Sequence, residues 1–114
     1  MANHYVNTQP ILSSAARTSS GQSSGFLVSG WLEGVLLLNI SAASGTGRKL
    51  SIRIDVSDDN STFYTLQGIG PYEFTVTGTY GIPATNFGKY MRINYTISGT
   101  SASFTFSIGL MGKT

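Results

Sequence analysis

A chain of 114 residues, 40% of them hydrophobic and with a formal net charge of +2, can enclose one core but not two, and is not a disordered polymer. Only 11% of the residues are charged, against about a quarter in ordinary soluble domains, so the surface must be largely hydroxylated and neutral. The absence of cysteine excludes a disulfide framework, a zinc–thiolate site and a thiol nucleophile together.

Residues 1–25 read as an N-terminal arm and linker, and residues 26–114 as one folded domain. The opening Met1-Ala2-Asn3-His4-Tyr5-Val6-Asn7 lacks the basic segment and apolar run of a secretory signal, so no Sec export is expected. Ile11-Leu12 is followed by a tract of Ser, Ala, Thr and Gly up to Gly25 with neither helical nor strand periodicity. The short apolar stretch around Tyr5-Val6 and Ile11-Leu12 can dock as an edge strand, on its own domain or on a neighbouring subunit, or it can fray.

From Phe26 onward the hydrophobic period is close to two. Phe26-Leu27-Val28 is a short strand, and Trp31 to Ser41 a second. Within the second, Val35-Leu36-Leu37-Leu38 is apolar on both faces. That continuity marks a strand covered on both sides, or one lying under an oligomer contact. The stretch from Phe26 to Ile40 contains Glu33 and is too short to cross a bilayer. Ala42 to Gly47 reads as a turn.

Lys49 to Ser57 alternates cleanly, with Leu50, Ile52, Ile54 and Val56 on a dry face and Ser51, Arg53, Asp55 and Ser57 on a wet one. Ser57-Asp58-Asp59-Asn60-Ser61 is a turn whose Asx side chains can bond their own backbone, making a hairpin with Thr62 to Leu66. Gly68 to Pro71 breaks the chain before a strand over Tyr72 to Thr77, and Gly78 to Pro83 reads as a further loop. Two closing strands, Tyr90 to Ile97 and Ala102 to Leu110, are joined by Ser98-Gly99-Thr100-Ser101. Met91, Ile93, Tyr95 and Ile97 are expected to meet Phe104, Phe106, Ile108 and Leu110 across the core. The fold class is all-β: an antiparallel sandwich of about seven or eight strands, jelly-roll or C2-like, with an extended N-terminal arm.

The titratable inventory is one His and five carboxylates, Glu33, Asp55, Asp58, Asp59 and Glu73. His4 has no neighbouring carboxylate to orient it, and no spacing selects a general acid–base pair. The expectation is therefore no enzyme, with no catalytic, cofactor-binding or metal residues and no cofactor. Asp55-Val56-Ser57-Asp58-Asp59-Asn60 has the hard oxygens of a loop calcium site, but it also makes a good hairpin turn, and the turn reading is preferred. Trp31, Tyr64, Tyr72, Tyr80, Phe87 and Tyr90 are aromatics that can stack on sugars or plug the ends of a sandwich; plugging is preferred. Gly45-Thr46-Gly47-Arg48-Lys49 lacks the spacing and following helix of a phosphate loop. The cations Arg17, Arg48, Lys49, Arg53, Lys89, Arg92 and Lys113 are scattered, so neither nucleic acid nor membrane is expected as a partner.

Leu50 to Tyr64, then Thr75-Val76-Thr77-Gly78-Thr79-Tyr80, then Gly88 to Thr100 with its Tyr90-Met91-Arg92, resemble small β-sandwich structural proteins of tailed bacteriophages and prophages. These are capsid or tail decoration proteins and the YomS and XepA type of sandwich. The resemblance spans roughly residues 30 to 112. It implies a virion structural protein assembled in the bacterial cytoplasm: a capsid decoration (cement) protein that binds the major capsid protein or another virion protein as a homo-oligomer. A tail or neck component, or a prophage carbohydrate- or envelope-binding module, is the alternative.

Overall fold

A computed structural model describes residues 6–28, 33–66, 71–84 and 89–113. The described residues are all-β: β1 (Val6–Arg17), β2 (Gly21–Gln22), β3 (Phe26–Leu27), β4 (Glu33–Ser57), β5 (Tyr64–Thr65), β6 (Tyr72–Phe74), β7 (Gly78–Ala84) and β8 (Tyr90–Lys113). All pairings are antiparallel. The long strands β4 and β8 pair from Glu33↔Lys113 to Ser57↔Tyr90 and form the central ribbon. β1, β2 and β3 follow one another along the free edge of β8. β7, β6 and β5 do the same along the free edge of β4.

This ribbon is folded in two. A straight strand the length of β4 would reach about 80 Å, yet the longest dimension of the molecule is 51 Å. The bend lies where the ribbon register slips, between Ile40 and Ala42, Ser44 and Thr46, and Thr46 and Lys49. Gly45 (φ 109°) and Gly99 (φ 118°) occupy backbone conformations that side chains rarely adopt. A Cβ at either would stand under 3 Å from the backbone of the opposite strand. The edge segments cut across the bend. From Arg17↔Phe104 to Gly21↔Tyr95 the outer chain advances four residues while β8 uses nine. From Phe74 to Gly78 it again advances four, while β4 uses ten between Leu50 and Ile40. Four extended residues cover about 13 Å, enough to step between layers about 10 Å apart.

The two layers share one core. Leu36, Leu38, Ile40, Ile82, Phe104, Phe106, Ile108 and Leu110 come from the first, and Leu50, Ile52, Ile54, Met91 and Ile93 from the second, all buried. Tyr95 meets Phe106 across the layers, with ring centroids 5.3 Å apart, one of the contacts expected from the alternation.

Several sequence expectations change. Ala42 to Gly47 and Ser98 to Ser101 bend the ribbon instead of ending strands. Gly78 to Pro83 is strand, not loop; β7 lies at the sheet edge, where proline needs no ladder partner for its missing N–H. The Ser-rich N-terminal tract lies along β8 of its own chain. Its hydroxyls complete the ladder where backbone pairing lapses: Ser20 Oγ accepts from Ile97 N–H at 3.0 Å and Ser23 Oγ from Ile93 N–H at 2.9 Å.

Candidate functional site

The two layers present unlike outer faces. On the second layer, odd-numbered residues of β4 point away from the core. Arg53 is exposed there, and Lys49 pairs with Glu73 at 2.8 Å. Asp55, expected on the wet face, is only 2% exposed. Its Oδ2 accepts from Arg92 Nε at 3.2 Å and Nη2 at 3.0 Å and from Asn94 Nδ2, and its Oδ1 accepts from Thr65 Oγ1 at 3.0 Å. The Phe63 ring stacks on the Arg92 guanidinium at 4.2 Å, completing the cover over the carboxylate.

The adjoining turn is held internally. Ser57 Oγ accepts from the N–H groups of Asp59 and Asn60. Asp59 Oδ1 accepts from the N–H of Thr62 and Ser61, each at 2.9 Å, and from Ser57 Oγ. These bonds, those from Thr62 and Ser61 first, hold the Asp59 carboxyl below its ordinary value of 3.8. Asp55 and Asp59 therefore direct their oxygens to protein donors. Among the described residues no group of three His, Cys, Asp or Glu side chains gathers to hold a metal.

The remaining candidates divide. Tyr80 donates to the carbonyls of Val76 and Thr77 and packs on Phe74 at 4.5 Å, fixing the crossing from β6 to β7. Arg48 supports the same crossing by donating to Thr75 O at 2.9 Å. Tyr72 packs against the core, and Tyr90 lies under Lys89 at 5.8 Å. Tyr64 is 62% exposed beside a shallow depression of about 220 Å³ lined by Val56, Ser57 and Asp58. Glu33 begins β4 at the end of the first layer. His4, Trp31 and Phe87 lie outside the described residues.

The first layer is different. Directly opposite residues of antiparallel neighbours share a face, so its outer side is built of cross-strand rows. One is Thr8, Met111, Val35 and Pro83; the next is Pro10, Gly109, Leu37 and Gly81. A third is Ser107, Asn39 and Thr79. None of these residues carries a charge. Leu37 stands 40% exposed between the buried Leu36 and Leu38. Beside it, where Gly81 leaves no side chain, lies an open depression of about 230 Å³ lined also by Asn39, Thr79 and Tyr80. The apolar run Val35 to Leu38 was the signal in the sequence; of its two readings, coverage on both sides is not found among the described residues.

No protein-family model matches the chain, and comparison with curated proteins gives no match. Fold and site define a two-layered antiparallel β domain with one charged outer face and another that is uncharged over the rows around Leu37.

Proposed function

We propose that this chain is a non-enzymatic structural protein of a bacteriophage virion, most specifically a capsid decoration protein that binds the capsid lattice as an oligomer. The observation that carries the reading is the segregation of charge. One outer face bears Lys49, Arg53, Glu73 and Arg92, and the other is uncharged around Leu37, with Glu33 and Lys113 in its end row. An exposed patch of this kind is often functional. A module repeated over a lattice gains occupancy from many weak, equal contacts. The carboxylates Asp55 and Asp59 are engaged in holding the fold, which fits a scaffold better than a reaction centre. A tail or neck position uses the same properties.

The second reading, a prophage envelope- or carbohydrate-binding module, draws on the exposed Tyr64 and the depression beside it. Mass spectrometry of purified virions, with saturation binding to particles stripped of the protein, separates the two. The virion reading predicts a fixed ratio of this chain to the major capsid protein and saturation at symmetry-related sites. Absence from the particle, with glycan binding that is lost in Tyr64→Ala, establishes the envelope reading instead.

A further inference from the structure

We propose that the neutral face of the first layer is a self-association surface, on which two copies of this chain pack face to face about a two-fold axis. The inference rests on the oligomeric structural reading above and specifies which surface is used.

Three observations carry it. A two-fold contact sets a patch against itself, so any charge near the axis opposes its own copy; the rows centred on Val35, Leu37 and Asn39 contain none. The same symmetry requires a projection and a recess on one patch. Leu37 projects, 40% exposed, and the depression of about 230 Å³ opens beside it over Gly81. The edges of this layer do not offer an alternative. β1 is interrupted by Pro10 and by register slips between Pro10 and Leu12 and between Leu12 and Ala15, and β7 carries Pro83; prolines and bulges blunt edge pairing.

The size of the patch sets the strength. Two rows across four strands and one across three cover roughly 350 Å² per copy, about 700 Å² in the pair, from the spacings of a β-sheet. That is below the standard size of a specific interface and marks a weak, transient contact. The dimer should therefore be weak, dissociating at roughly 10 µM to 1 mM.

The test is sedimentation velocity on the full chain from about 5 µM to 1 mM, a span chosen to bracket that range. The wild type is expected to move from the 12.1 kDa monomer toward twice that mass. Leu37→Glu should raise the dissociation constant at least about tenfold, while Arg53→Glu, on the opposite face, leaves it within about twofold. Because the chain has no cysteine, Asn39→Cys supplies a single thiol. It should crosslink two copies under mild oxidation far faster than Arg53→Cys, and this carries the test even if Leu37→Glu does not fold. A wild type that stays monomeric throughout overturns the inference. Association that Arg53→Glu abolishes and Leu37→Glu spares also overturns it, while leaving an oligomeric virion protein intact. Dimers made through Leu37 by a protein missing from virions support the inference and refute the virion reading.

Discussion

Tyr95 and Phe106 lie eleven positions apart in β8, and their rings meet edge to face at 5.3 Å. In a straight strand they would be about 36 Å apart. The contact is the seam of the fold, and Arg17 seals it, its guanidinium 4.5 Å from the Phe106 ring and 5.7 Å from that of Tyr95. The same side chain donates to Phe106 O at 2.7 Å and Ser13 O at 2.9 Å, supplying donors where β1 leaves the first layer.

Phe106→Ala should cost about 3–5 kcal/mol in urea unfolding, because the ring is fully buried and leaves a cavity. A double-mutant cycle with Tyr95→Ala should show a coupling of about 0.5–1.5 kcal/mol, as for other edge-to-face pairs. Additive effects would mean that the two layers do not close on this pair.

The two ion pairs of the charged face should differ sharply. Asp55 is 3% exposed in its side chain and Arg92 23%, so Asp55→Ala strands a partly buried guanidinium and an amide and should destabilise by about 2–4 kcal/mol. Lys49 and Glu73 are about half exposed. Lys49→Ala should leave the unfolding midpoint nearly unchanged, since an exposed pair is screened by water and salt. Equal effects in chemical denaturation would contradict the burial of Asp55.

Asp59 gives the acid limb of the stability profile a specific contributor. Its carboxyl is held low by bonds from Thr62, Ser61 and Ser57, so its contribution is complete above the ordinary value of 3.8 and is lost as pH falls through the lowered one. Thermal melts between pH 2 and 5 should show a shallower acid slope in Asp59→Asn, which retains an acceptor oxygen but does not titrate. An unchanged slope would remove Asp59 from the account.

Gly45→Ala and Gly99→Ala should each destabilise by about 2–3 kcal/mol, since both combine a disfavoured φ with a backbone contact under 3 Å. Gly47 has φ 65° but open space around it, so Gly47→Ala should cost only about 1–2 kcal/mol. Equal losses at all three positions would argue against a close-packed bend.

Much of the fold is legible in the sequence because alternation survives to the finished structure: Leu50, Ile52 and Ile54 are buried as their spacing requires, as are Phe104, Phe106, Ile108 and Leu110. What fails is the distinction between a strand that ends and one that bends. Gly45, Gly47 and Gly99 look like turn residues, but each strand continues because its partner bends with it, a property of the pair and not of either sequence. Asp55 departs from its expected wet face for a related reason. It alternates with Arg53 and Ser57 like a solvent-facing residue, and its donors Thr65, Arg92 and Asn94 are brought over it only by pairing of distant segments. The neutral face was half legible: Val35 to Leu38 showed that both sides of one strand are apolar, whereas the matching rows in β1, β7 and β8 required the register.

Oxidative side-chain footprinting of the concentrated protein against the dilute monomer reports which face becomes covered on assembly. Met111 and Leu37 on the first layer's outer face are expected to lose reactivity while Tyr64 keeps it. Protection of Tyr64, with Met111 and Leu37 as reactive as in the monomer, would contradict association through that face.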